Sequence, residues 1–519
     1  NYDKFKQAAP GADVSSGPLG EGTLTDADVA RAQQIAESFG ISAGSLASNS
    51  DTDVEEYAVK LDWNINDDHR ATFRYSKIDQ SKLRLNGFFS GDDGAVSLSS
   101  YWYQHDKTVE SYVAQLFSDW SDKLSTEFKV SYRDFSAVRN IPTNAPSVEI
   151  LFDEDGDYSD PDVAPSGASI FLGTESNSQA NVLETKTWNA FGAATWHAGD
   201  HDIKFGFDYS NNEIYNLYGP QVFGVYQFYG LDRFAAGEWS RYNLRTPQPG
   251  SDIDSIAAVF KYKNYGLFVQ DQWYVNDKLT LTFGLRGDKP DVNVNPQYNA
   301  LAEQVFGYNN SKVLSGDILW QPRFGFNYTF ATERPTQLRG GIGLFQGDSP
   351  QVWLSNAYST TGLNYIQYTQ FHDSDENWED LPFDGNGNNQ PIPTNPANQL
   401  QNVNFISPDF EQPSTWKANL AIDHELPWNN MVLSAELLLT KVKSALYYRS
   451  LNLGAPTLVG QDGRQLYWNP DLVGRAWSSS GNRFNRDRRF DQVILLDTTD
   501  NGSSQQFTIG LNKPWTSDS

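Results

Sequence analysis

Six times along this chain, two stretches of period-two alternation are joined by a very short connection, and each such pair is separated from the next by a very long one. Connections within a pair are about two to five residues and those between pairs run from roughly thirty to nearly seventy, whereas compact domains rarely carry even one structureless loop beyond about 15. The clearest pair spans residues 265–287. Leu279, Leu281, Phe283 and Leu285 alternate with Thr280, Thr282, Gly284 and Arg286, and only Asn276 and Asp277 separate them from a strand carrying Leu267, Val269, Trp273 and Val275. A lone hairpin of this kind leaves its apolar face uncovered, so it must pack on a core or face lipid. Strict alternation of short and long connections predicts the second outcome: an all-β, transmembrane antiparallel β-barrel with short turns at one rim and long extracellular loops at the other.

The same pairing recurs around Asn66-Asp68, Ser121-Lys123, Gly199-Asp200, Ala331-Pro335 and Pro427-Asn429, and a lone strand bearing Phe507, Ile509 and Leu511 brings the count to thirteen. Strands of about ten residues cross a bilayer when tilted. Lys60, Arg74, Glu127, Lys129, Arg133, Lys204 and Arg286 stand at the polar positions, which suits an aqueous or protein-filled lumen better than a dry core. Trp63, Trp120, Trp196, Trp273, Tyr328, Trp428 and Trp515 lie at strand ends, where an interfacial girdle would place them. The competing fold is a soluble multi-sheet β protein. Single-chain bacterial barrels hold an even number of strands, so an odd count predicts that strands are missing at the C-terminus and that the sequence is a portion of a larger barrel.

Neither a composition shift nor a linker divides the 519 residues, so one domain is expected. Residues 1–54 read as an extracellular loop with one short helix, and residues 55–519 as barrel strands and loops. In that helix Thr25 can cap with Asp28, Val29, Ala32, Ile35, Ala36 and Phe39 form the apolar set, and Gly40 can end it. Mean hydropathy is −0.56, and nothing approaches the roughly 20 apolar residues of a membrane helix. Cysteine is absent, which removes disulfides and Cys-ligated metal. A formal charge of −26 argues against nucleic acid as a partner. No signal peptide opens the chain at Asn1, as expected of a processed chain or a fragment.

NYGLFVQDQWYVNDKLTLTFGLRGD at 264–288 resembles the strand-turn-strand segment of TonB-dependent outer-membrane receptors, with its F-x-Q-D-x-W run before K-L-T-L-x-x-G-L-R. Phe223-Gly224-Val225-Tyr226-Gln227-Phe228 with Leu231–Gly237, LWQPRFGFNYTF at 319–330, Leu338–Gly341 and NRFNRDRRFDQVILLD at 482–497 are similar to the Oar-like subfamily. The likeness covers most of residues 55–519. It implies a barrel of about twenty-two strands, an N-terminal plug carrying a TonB box, and a further small β-sandwich; the plug and the sandwich are not among these 519 residues. It also implies transport of a large or scarce substrate, such as a peptide, protein or oligosaccharide, with TonB as partner through the plug and outer-membrane lipid and lipopolysaccharide around the wall. The alternative from another class is a passive porin-like channel or a surface adhesin.

No catalytic constellation is legible, so an enzyme is not expected. The six histidines are scattered, and His69 and His201 read as solvated residues opening return strands. Asp153, Asp155 and Asp157, near Glu154, Asp160 and Asp162, crowd oxygen ligands around Gly156 in the manner of a calcium loop, but the terminal bidentate Glu is missing, and a solvated acidic loop remains the alternative. The aromatic-rich loop at 213–245 supplies the candidate substrate contacts Tyr226, Phe228, Tyr229, Arg233 and Trp239, as rings for stacking on a ligand. Packing of the loops against one another is the other use such rings can have.

Overall fold

The computed structural model describes residues 2–7, 24–46, 51–85, 95–152, 168–314, 316–372, 380–393, 400–472 and 483–513. One sixteen-stranded sheet dominates it, and fourteen of those strands run as an antiparallel meander that forms a wall. In chain order they are β1 (Tyr2–Gln7), β2 (Thr52–Asn64), β3 (His69–Arg84), β4 (Tyr103–Ser121), β5 (Leu124–Asn140), β6 (Asn181–Ala198) and β7 (His201–Tyr218). They continue as β8 (Ala258–Asn276), β9 (Leu279–Val292), β10 (Leu319–Thr329), β11 (Thr336–Gln346), β12 (Ser414–Glu425), β13 (Val432–Ser450) and β14 (Ser503–Asn512). β2 to β14 fall on the thirteen stretches of alternation. β1 corrects the expectation that residues 1–54 are loop and helix alone: it pairs with β2, Tyr2 opposite Tyr57 and Gln7 opposite Thr52. The sheet is open among the described residues, with β1 and β14 at the edges of the meander.

Local chemistry sets the six tight turns. The Asn276 side chain accepts from the amides of Lys278 at 2.9 Å and Leu279 at 3.1 Å, that of Asn66 accepts from Asp68 at 3.0 Å, and Gly199 supplies a φ of +67°. Neighbouring hairpins bond turn to strand end, Asp119 N to Asp68 O at 2.8 Å, Tyr274 N to Asp200 O at 2.8 Å and Glu425 N to Pro335 O at 2.9 Å. The short turns therefore share one rim.

Register separates the two faces cleanly. Lys60 stands opposite Arg74, and Arg286 opposite Phe268, which in turn lies level with Gly206. Following this pairing, all seven charged residues expected in the lumen share the inner face. Outside, Val269 lies between Phe205 and Leu285, and Leu267 and Phe507 are 70% and 66% exposed. So large an apolar area left open is the mark of a surface that meets lipid. Two aromatic tiers bound it. Trp120 and Trp196 lie near the short-turn rim, and eight residues further along the same two strands Tyr112 and Trp188 join Tyr75 and Tyr132 in a ladder across four adjacent strands with centroids 5.0, 6.4 and 4.8 Å apart. Eight residues are roughly 26 Å of strand before the loss from tilt, the scale of the ~25 Å apolar band of such walls. Among the described residues no helix is long and apolar enough to cross a membrane.

The long connections are ordered where described. Segments 365–371, 241–247, 225–229, 147–151, 169–172 and 95–97, drawn from four of them, join into a separate six-stranded sheet. α1 (Asp26–Ser38) and α2 (Gly230–Ala236) pack on it, the first capped by Thr25 and Asp28 as its sequence predicts. Val29, Ala32, Ile35 and Ala36 enter a core with Val148, Ile150, Ile170, Tyr226, Phe228 and Tyr242. Further along, α3 (Ala300–Phe306) lies on the parallel pair Gln401–Ile406 and Phe490–Thr499. α4 (Gln351–Ser359) covers the inner face of β7 and β8, where Ile214, Phe260 and Tyr262 are buried. Together these segments cap the long-loop end of the wall.

Candidate functional site

On the inner face β8, β9 and β10 bring one acidic and two basic side chains together. Asp288 is 2% exposed. Arg286 grips it with two bonds, Nε to Oδ2 at 2.6 Å and Nη2 to Oδ1 at 2.7 Å. Asn264 and Gln321 also donate to it, at 2.8 and 2.5 Å, so every lone-pair direction of this carboxylate is engaged. Gly266 makes the crossing possible, since a Cβ there would stand 2.5 Å from Nη2 of Arg286. Arg286 also reaches Asp208 at 3.5 Å. Arg323, by contrast, has no carboxylate within ion-pair distance among the described residues, and its guanidinium lies 4.8 Å from the Phe345 ring. A cavity of 540 Å³ whose charged lining is Lys204, Arg286, Asp288, Arg323 and Asp348, with Asn264, Gln270 and Gln321 between them, opens over this group. It presents both signs: Arg286 is neutralised by Asp288, whereas Arg323 and Asp348 line it without an ion-pair partner among the described residues. Sequence reading placed Arg286 on this face but missed Asp288, Gln321 and Arg323, which only the register of three strands brings together.

The candidate substrate contacts divide. Tyr226 and Phe228 are 0% exposed and Trp239 is 1% exposed, which corrects their assignment as ligand-stacking residues. Their rings pack on one another and on Phe383: Tyr226 stacks on Tyr242 at 4.4 Å, and Phe228 meets Phe383 edge-on at 5.2 Å. Trp239 Nε1 donates to Leu381 O at 2.9 Å and the Tyr242 hydroxyl to Pro391 O at 2.9 Å. Burial pushes the Tyr226 and Tyr242 hydroxyls far above the ordinary tyrosine range. Tyr229 and Arg233 are half-buried, on the residue before α2 and within it. The aromatic density of 213–245 is thus the core of the cap.

The opposite face of the cap sheet carries polar groups that the sequence did not single out. Register aligns Phe171, Glu149, Gln227, Arg241 and Phe371 across five strands. Gln227 Nε2 donates to Glu149 at 3.0 Å. Burial holds the Glu149 carboxyl above the usual carboxylate range, with Gln227 and then Arg241 opposing the shift. Arg241 lies over Phe371 at 5.4 Å, and Arg245 over Tyr365 at 4.1 Å with a bond to Gln367 at 3.1 Å.

Asp153, Asp155 and Asp157, the candidate calcium ligands, lie outside the described residues, and among those described no three His, Asp or Glu side chains converge as a metal would need. Of the turn histidines, His201 is partly exposed, with Nδ1 2.9 Å from Asp271 and its ring stacked on Trp273, and His69 meets Trp120 edge-on.

A family model for the outer membrane beta barrel domain matches residues 29–507. Among solved structures, a ferric enterobactin receptor mutant from Pseudomonas aeruginosa is 13% identical with a TM-score of 0.48, covering 99% of this chain and 55% of its own. The siderophore receptor PirA from the same organism is 10% identical with a TM-score of 0.45, over 90% of this chain and 56% of its own. The outer membrane transporter YddB from Escherichia coli is 11% identical with a TM-score of 0.44, over 98% and 56%. This chain spans about half the length of the solved structures it matches. No curated protein matches.

Proposed function

Because the chain belongs to the outer membrane beta barrel domain family, we propose that it forms wall and cap of a TonB-dependent transporter of the Oar-like kind in a Gram-negative outer membrane. The observation that carries this reading is the division of labour between surfaces. An apolar outer face meets lipid, a charged inner face surrounds Arg286, Asp288 and Arg323, and a cap with its own core covers the long-loop end. A wall built for passive flow has no use for so large a folded cap. In lipid the unpaired backbone groups of an open edge cost several kcal/mol each, so the wall works within a closed barrel, of about twenty-two strands on the resemblance. In that barrel a plug fills the lumen and engages TonB. Arg323 and the cavity beside it meet either an acidic group of the plug or the passing substrate. The peptide or sugar preference drawn from the aromatic loop loses its basis, because those rings are spent on the cap core.

Single-channel recording of the purified parent protein in planar bilayers tests this. A plugged, energised receptor stays electrically silent until the plug is unfolded or removed. Steady conductance of the untreated protein would instead identify a porin-like channel.

A further inference from the structure

Beyond the upper aromatic tier the inner face of β3, β4 and β5 turns basic. Lys82 stands opposite His105 and His105 opposite Arg139, one row across three strands, seven positions above Tyr75, Tyr112 and Tyr132. Seven positions are roughly 23 Å of strand before the loss from tilt, so the row lies past the apolar band, at the long-loop end. Arg84 and Lys107 flank it two positions away on the same face. Strand spacing and rise place all five side chains in a patch of roughly 10 by 13 Å. Burial holds the His105 imidazole below the usual histidine range, and Lys107, Arg139 and Arg84 push it the same way, with Asp106 opposing. Arg139 lies 4.9 Å from the Tyr103 ring and reaches Ser178 at 3.1 Å and the buried Glu175 at 3.9 Å. Lys82, Arg84 and Lys107 form no ion pair or side-chain hydrogen bond with any described residue. Nearby carboxylates stand elsewhere. Asp53, Asp79 and Asp106 take outward positions, where they line a groove that Lys107 backs onto, and Asp51 is level with outward Leu83. Glu56 shares the inner face but is level with Ile78, four positions below Lys82. Toward the lumen Arg74 and Arg133 continue the cations, again with no carboxylate at ion-pair distance among the described residues. From the cap Arg245 approaches the same region: it and Arg139 both oppose the rise that burial imposes on the Tyr218 hydroxyl.

We propose that this patch receives a small polyanion, a ligand carrying two or more carboxylate or phosphate groups within about 10 Å of one another, on its way from the cap into the lumen. The proposal rests on the transporter reading, which makes the inner face a passage, and deepens it by naming the charge of the substrate. Two observations choose this ligand. The first is sign: on a chain of net charge −26, cations left unpaired together on one concave face concentrate anions there. The second is fixed spacing. Each cation stands on a strand paired on both sides, and Tyr103 steadies the Arg139 guanidinium, so little order is lost when a ligand arrives. One acidic side chain of a plug would satisfy one of these groups; three unpaired cations around an imidazole call for a ligand with several charges.

The test titrates the purified parent protein in detergent at low salt with inositol hexakisphosphate, citrate, uncharged myo-inositol and inorganic phosphate, reading heats of binding. Wild-type protein should bind both polyanions, ignore inositol, and bind inorganic phosphate at least about 100-fold more weakly than the hexakisphosphate. Lys82→Gln, Arg84→Gln and Lys107→Gln combined should weaken both polyanions by at least about tenfold and flatten the dependence of binding on salt. Lys82→Arg, Arg84→Lys and Lys107→Arg combined should retain binding, which separates loss of charge from loss of fold. Arg486→Gln with Arg488→Gln, exposed arginines of another loop, should leave it unchanged. Binding that survives the triple Gln substitution within about tenfold, or that falls equally in the Arg486 and Arg488 variant, overturns the proposal. Inorganic phosphate as tight as the polyanions assigns the patch to single anions and overturns it equally. Absence of binding to wild type overturns it too, and steady conductance of the triple Gln variant would then give these cations to the plug. Conductance of the untreated wild type decides the transporter reading by itself, so failure of one is distinguishable from failure of the other.

Discussion

Phe260 of β8 and Tyr358 of α4 stack face to face, with ring centroids 4.4 Å apart and planes within 3° of parallel. One ring belongs to the wall and the other to the cap, and both are buried, so this contact is where the two are tied together. Truncation of a buried Phe to Ala costs about 3–5 kcal/mol. Phe260→Ala should therefore speed proteolysis within residues 347–413 while the wall keeps its resistance to unfolding in SDS without heating. Unchanged cleavage of that segment would mean that cap and wall are held together elsewhere.

Leu267 and Gln270 sit three residues apart on β8 and on opposite faces. Arginine on a lipid-facing position near the bilayer midplane costs about 2–4 kcal/mol, and a lumen position tolerates it. Leu267→Arg should sharply lower the yield of assembled protein in the outer membrane, and Gln270→Arg should not. Equal yields would show the two faces to be wrongly assigned.

Trp239 lies in the cap core with its indole N–H satisfied by Leu381. Trp239→Ala should cost about 3–5 kcal/mol of cap stability, visible as faster hydrogen exchange along 225–229 and 241–247 in the absence of any ligand. Native exchange rates in those strands would return this residue to the role of a ligand contact.

Glu149 gives the cap a pH dependence whose sign follows from its raised pKa. The folded cap prefers the protonated carboxyl, so the stabilisation is complete below the ordinary carboxylate range and is lost as pH rises through the elevated folded value. Other carboxylates titrate as well, and comparison with Glu149→Gln isolates this one. Wild type and variant should converge in cap protection at acid pH, and the variant should be the more protected at neutral pH. A difference that is constant with pH would remove Glu149 from this account.

What could be read from sequence was local in origin. The turns at Asn66, Gly199 and Asn276, the alternation of the long strands and the Thr25-Asp28 cap of α1 each depend on residues within a few positions, so the letters carry them. β1 escaped notice because six residues give too few cycles of alternation. The cap sheet escaped because its strands are three to seven residues long and because Val225–Tyr229 runs parallel to Ser147–Leu151, a pairing between distant segments that no local signal announces. The aromatic loop illustrates the ambiguity of composition: Tyr226 and Phe228 would look the same in sequence as a ligand platform or as a core, and only the Phe383 ring brought from another loop decides it. Arg323 required the register across several strands.

The account stands on all short turns sharing one rim, beneath the membrane, with the cap outside. Single cysteines at Ser251, exposed in the cap-side connection of β7 and β8, and at Asp277, exposed in a short turn, can be labelled in intact cells with a membrane-impermeant maleimide. Ser251→Cys should label at once and Asp277→Cys only after the outer membrane is permeabilised. Labelling of Asp277→Cys in cells shown to be intact, with Ser251→Cys protected or equally reactive, would contradict the topology and with it the assignment of cap, lumen and lipid face.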